Sequence, residues 1–87
     1  ALAHHQLGLL ALARGERREA ESRFRQALAL DPSSSDTLLN LGRLLAATGR
    51  RAESRPLLEG FLTIAPAEIY GREIRAVRAW LTSTRGA

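Results

Sequence analysis

His4 and His5 stand side by side near the start of the chain and are its only imidazoles. Paired histidines suggest a metal site, but in a helix adjacent side chains point about 100° apart. Both cannot face one ion, and no third ligand is near in sequence, so no metal is expected. Ser, His and Asp occur in no order that places a nucleophile on a recognisable elbow, and no Gly-rich loop is spaced to cradle phosphate. The carboxylates are accounted for by helix pairs or caps. The chain is therefore not expected to be an enzyme, and no catalytic, metal or cofactor-binding residue is assigned.

The remaining chemistry is cationic. Thirteen Arg and no Lys stand against nine carboxylates, for a formal net charge of +4. Arg17-Arg18, Arg50-Arg51 and the row Arg72, Arg75, Arg78 could attract a phosphate backbone or an acidic membrane. Yet Glu16, Glu19, Glu53 and Glu73 are interspersed, and the aromatic residues that stack on single-stranded bases are missing from these rows. A solvated surface is the expectation and nucleic acid is disfavoured. The choice of Arg over Lys, with abundant Ala, points to a GC-rich bacterial genome. No Cys is present, so a disulfide framework and thiolate chemistry are excluded and the redox compartment stays open. No window approaches the roughly 20 apolar residues of a membrane span. A chain that begins at Ala1 and contains no Met is expected to be a fragment of a longer polypeptide.

The elements that must carry these residues are helices. Ala, Leu, Glu and Arg make up 51 of 87 residues, whereas Val and Ile together supply four. Sliding the sequence against itself gives one clear register, in which Leu7 falls on Leu41, Gly8 on Gly42, Leu10 on Leu44, Ala13 on Ala47, Gly15 on Gly49, Leu28 on Leu62 and Pro32 on Pro66. Each unit predicts two helices. Leu2 to Ala13 is apolar nearly all round and stops at Gly15; Arg17 to Leu30 is amphipathic, with Ala20, Phe24, Ala27 and Leu28 on one face and Glu19–Arg23 and Glu21–Arg25 pairs outside. In the second unit, Ser34, Ser35 or Asp36 caps a helix over about 37–48 that ends at Gly49. The next helix starts near Ala52 or Glu53, with Pro56 in its first turn. A fifth helix, Ala67 to Leu81, carries a stripe of Tyr70, Ile74, Val77 and Leu81 with Trp80 beside it, and turns its Arg residues elsewhere. The expected domain runs as repeat 1 (1–34), repeat 2 (35–68) and a capping helix (69–84).

These residues resemble the tetratricopeptide repeat (TPR) family, whose pattern is W-x2-L-G-x2-Y, then A-x3-F, then Pro, over a period of about 34 residues. The first unit carries Leu7-Gly8, Gly15, Ala20, Phe24, Ala27 and Pro32 at that spacing; the second carries Leu41-Gly42, Gly49 and Pro66. His4 and Leu38 replace the Trp, Ala11 and Leu45 the Tyr, Ser54 the Ala, Leu58 the Phe, and Phe61 the small residue after it. The resemblance implies an all-α fold: an α-solenoid of antiparallel helix pairs, here five helices, wound as a right-handed superhelix. Gly8 and Gly42 would then let the second helix of each pair pack close to the first.

The resemblance also implies a function, binding of a protein or peptide in a concave groove lined by the first helix of each repeat. Transfer by register gives Leu2, His5, Gln6, Leu9 and Leu12 from the first unit and Asp36, Leu39, Asn40, Arg43 and Ala46 from the second, a mixed apolar and polar surface suited to reading a peptide. For each of these the plainer alternative is folding or solvation. One TPR subtype clamps a C-terminal carboxylate, but of its positions only Asn40 matches; His5, Leu9, Tyr70 and Ile74 occupy the others, so a clamp is not expected. The apolar first helix calls for a covering surface, either further repeats upstream or a homodimer through that helix. The alternative functional reading is a C-terminal appendage of a larger bacterial enzyme, for example a hydrolase or sulfatase, used for assembly or self-association.

Overall fold

Two sharp stops, at equivalent positions of the two repeats, divide the chain into hairpins. In the computed structural model, which describes residues 2–84 and their side chains from 3 to 83, helix α1 (Leu2–Ala13) ends at Gly15 with φ +77°. There the Glu16 N–H donates to Ala11 O at 2.9 Å and the Gly15 N–H to Leu12 O at 3.0 Å. This Schellman arrangement recurs where α3 (Ser35–Ala47) ends: Gly49 has φ +81°, Arg50 N–H donates to Leu45 O and Gly49 N–H to Ala46 O. Left-handed backbone at these two residues satisfies the last carbonyls and turns the chain back into α2 (Arg17–Leu30) and α4 (Arg51–Ile64). Ser34 caps α3 by accepting from the Thr37 N–H. Helix α5 (Ala67–Thr84) follows Pro66, and no strand occurs among the described residues. The fold is an all-α helical-repeat solenoid.

Each hairpin closes over its glycine. A Cβ on Gly8 would stand 2.6 Å from Phe24 Cε1, and one on Gly42 would stand 2.5 Å from Leu58 Cδ2. The hairpins then stack through two linked clusters. Ala11, Ala20 and Phe24 of the first meet Leu41, Leu44 and Leu45 of the second. Leu38, Leu39, Leu58 and Phe61 meet Ile74, Val77 and Leu81 of α5. Leu28 and Leu57 touch both clusters. The large residue has moved between repeats: Phe24 and Ala27 in the first correspond to Leu58 and Phe61 in the second. Phe61 thereby reaches α5, where its ring meets Tyr70 edge-on with centroids 5.4 Å apart. Ser54, fully buried where the family has Ala, satisfies its hydroxyl by donating to Arg51 O.

Two expectations about α4 and α3 shift. α4 starts at Arg51, one or two residues before the Ala52 or Glu53 that the sequence predicts, so Pro56 lies in the second turn. Its missing N–H deprives the Ala52 carbonyl of a helical donor, and both residues are exposed to solvent. α3 starts at Ser35 because Ser34 takes the capping position.

Helix α5 does not repeat α3. It buries Ile74, Val77 and Leu81, as its stripe predicts, and half-buries Tyr70 and Trp80. By the repeat register these buried positions correspond to Asn40, Arg43 and Ala47. The counterparts of the buried Leu41 and Leu44 are the exposed Arg75 and Arg78. A one-residue offset in the buried stripe amounts to a rotation of about 100°. Two guanidiniums that cannot be buried unpaired dictate it, and Tyr70, with φ −112° and ψ 25°, supplies the kink that allows it.

Candidate protein-interaction groove

The structure sorts the candidate groove residues into three environments. Gln6, Leu9 and Arg43 are exposed, and Asn40 is half-buried. Arg43 and Ala46 line one cleft of about 190 Å³ with Leu58 of α4 and Ala76, Val77 and Trp80 of α5. The small side chains Ala46 and Ala76 open this cleft, and Arg43 brings to it a guanidinium with no ion-pair partner among the described residues. The sequence marks Trp80 only as a helix-face residue; the rotated docking of α5 brings it here.

Four candidates are engaged in folding contacts instead. Leu39 is 5% exposed and belongs to the core cluster with Phe61 and Ile74, so it presents no surface to a ligand. Leu12 is half-buried against the first cluster. His5 Nδ1 lies 2.9 Å from Thr37 Oγ1, which itself lies 2.9 Å from Ser34 Oγ, and its ring tilts against Phe24 at 5.6 Å. This chain of polar contacts ties α1 to the capping turn of α3. Asp36 accepts a hydrogen bond from the Tyr70 hydroxyl, pinning α5 to the start of α3. That bond, with burial and the carboxylate's charge, pushes the Tyr70 pKa up to about 12. Leu2 opens α1, but its side chain lies outside the described residues.

The basic rows are also reorganised. Arg50 donates through Nε to Glu53 at 2.7 Å and through Nη1 to Glu21, while Arg25 joins Glu21 at 2.9 Å and Glu53 at 3.3 Å. The four charges close a ring across the boundary between hairpins. Arg50 and then Arg25 hold the Glu21 carboxyl below the usual range, and Arg50 does the same for Glu53. Local spacing reveals the Glu21–Arg25 and Glu19–Arg23 pairs, and Arg50–Glu53 is likewise only three residues apart. The cross-boundary pairs span 28 and 29 residues, and become visible only once the α3–α4 turn is docked on α2. His4 occupies the family's Trp position half-buried, its Nδ1 without a hydrogen-bond partner among the described residues. No three His, Asp or Glu side chains gather into a metal-binding group among them. No helix there is long and apolar enough to cross a membrane.

Comparison with known proteins gives the same outline. The tetratricopeptide repeat family model matches residues 5–69. The match therefore ends one residue before the kink of α5. The probable biofilm formation methyltransferase WspC of Pseudomonas putida is 41% identical over 56 residues, a stretch covering 64% of this chain and 13% of that protein. The chain thus spans 13% of the length of this relative. No solved structure matches the chain.

Proposed function

On the premise that this chain belongs to the tetratricopeptide repeat family, whose repeats mediate protein–protein interaction, we propose that it is a non-enzymatic module that binds a peptide or partner protein along the face formed by α1, α3 and α5. The observation that carries this reading is the cleft between Arg43 and Trp80: apolar walls, one cation without an ion-pair partner among the described residues, and room for a side chain from a partner. Exposed Gln6, Leu9 and half-buried Asn40 extend the surface along the solenoid. The test is a pull-down from lysate of the source organism, using wild type beside an Asn40→Ala, Arg43→Glu double variant, washed at low and high salt. A protein retained at high salt by wild type and lost by the variant supports the groove. Equal retention by both baits contradicts it. Self-association through α1 belongs to the same reading of the chain as an assembly module.

A second reading has its own support. Similarity to a stretch amounting to 13% of a probable methyltransferase favours these repeats being an appendage of a larger enzyme. In that case the parent polypeptide carries a catalytic domain whose turnover of free substrate survives removal of the repeats, while its assembly with a partner is lost. Loss of turnover on free substrate would count against the appendage role.

A further inference from the structure

The cleft between α3 and α5 holds about 190 Å³, less than the roughly 300 Å³ at which pockets for small molecules begin. It is the size for one side chain. Of the residues that line it, Leu58 and Val77 are buried and Trp80 is half-buried, while the small Ala46 and Ala76 keep it open. The one charged group lining it is the exposed guanidinium of Arg43. The three helices around the cleft give that cation no carboxylate among the described residues. Asp36, the only acid of α3, accepts from the Tyr70 hydroxyl. On α4, Glu53 belongs to the ring with Arg50 and Arg25, and Glu59 lines a separate depression with Leu81 and Thr82. On α5, Glu68 is exposed in the first turn and Glu73 lies within electrostatic reach of Tyr70.

A partner seated in this cleft takes water away from Arg43 as well as from the apolar walls. A purely apolar occupant would leave the guanidinium covered and unpaired, which is strongly penalised, and a basic occupant would be repelled. We infer that the cleft receives a large aliphatic or aromatic side chain from an acidic, apolar segment of a partner protein, whose adjacent Asp or Glu binds Arg43. The planar fork of the guanidinium matches a carboxylate with two parallel hydrogen bonds, and the apolar surfaces of Leu58 and Trp80 beside it strengthen the pair by lowering the local dielectric. The carboxylate belongs to a side chain within the segment. Past Arg43 the surface runs on to half-buried Asn40 and exposed Leu9, so the segment passes through the site and does not end there. The chain's net charge of +4 attracts the same class of partner. This inference rests on the groove reading and adds to it the chemistry of what binds.

The experiment selects random peptides displayed on phage against the full 87-residue chain and, in parallel, against Arg43→Glu, with circular dichroism confirming that both are folded. Arg43 is exposed, so its replacement leaves the core intact. Wild type is expected to enrich peptides with Asp or Glu beside a large apolar residue, and Arg43→Glu to enrich Lys or Arg at that place. Synthesised as free peptides, the wild-type set should change Trp80 emission on binding, and replacing the acid by its amide should weaken binding at least about tenfold. Peptides that change Trp80 emission without acidic enrichment, or that bind equally well as the amide, overturn this inference and leave the groove standing. Binding lost when the peptide's C-terminus is amidated assigns Arg43 to a terminal carboxylate and also overturns it. If no selected peptide changes Trp80 emission, the inference and the groove reading fall together.

Discussion

Gly42 lies directly beneath Leu58, so that a single added methyl would come within 2.5 Å of Leu58 Cδ2 and 2.7 Å of its Cγ. The same relationship holds one repeat earlier between Gly8 and Phe24. Each hairpin is thus built on a helix–helix contact that only a residue without a side chain permits, at an intrinsic cost of about 1 kcal/mol in helix propensity.

Gly42→Ala is expected to destabilise the fold by about 1–3 kcal/mol despite its better helix propensity. Denaturant unfolding measures it. If the steric account is right, Leu58→Ala in the same chain recovers part of that loss; additive losses would break the link between the two residues.

Tyr70 is the chain's one tyrosine, which makes its titration readable by ultraviolet absorbance. The phenol should ionise near 12 in the folded chain, and Asp36→Asn should return it toward the ordinary value of about 10. The folded state holds this proton more tightly than the unfolded state does. The stabilisation is therefore fully present below about pH 10 and is lost as pH rises through about 12. Asp36→Asn should flatten stability across that alkaline window.

Glu21 behaves in the opposite sense. Its pKa is lowered by Arg50 and Arg25, so its contribution is present above the ordinary carboxylate range and disappears as pH falls through the lowered value. Glu21→Gln should therefore lose stability at pH 7 and show a shallower acid limb than wild type in urea unfolding between about pH 5 and 2. High salt should narrow the difference between the two proteins, because the ring is largely solvent-exposed.

Pro56 sits in the second turn of α4, where it contributes no hydrogen bond to the helix. Pro56→Ala restores the donor to the Ala52 carbonyl. It should stabilise the chain by about 1–2 kcal/mol, the helical gain less the added freedom of the unfolded state. A thermal midpoint below wild type would show that the proline fits this helix without strain.

Much of this architecture is legible in the sequence because a repeat states its contacts twice. Gly8/Gly42 and Gly15/Gly49 announce close packing and left-handed turns, and the stripe of Tyr70, Ile74, Val77 and Leu81 announces the buried face of α5. The direction in which α5 docks is less legible. It follows from a competition between register, which would bury Arg75 and Arg78, and desolvation, which forbids it. Leu39 depends on that outcome: a groove position by register, it is core because the rotated α5 brings Ile74 and Val77 into its cluster. His5 and Asp36 show the limit of register from another side. Their roles depend on Thr37 and Tyr70, polar partners 32 and 34 residues away that no local spacing reveals.

Trp80 is the chain's single tryptophan, and it lines the cleft beside Arg43. The most direct measurement of binding there is fluorescence titration with peptides selected from a displayed random library against the folded chain. The groove account predicts that selected peptides shift Trp80 emission and lose at least about tenfold in affinity for Arg43→Glu, ~1.4 kcal/mol. Peptides that bind with Trp80 emission unchanged and with equal affinity for Arg43→Glu would contradict it.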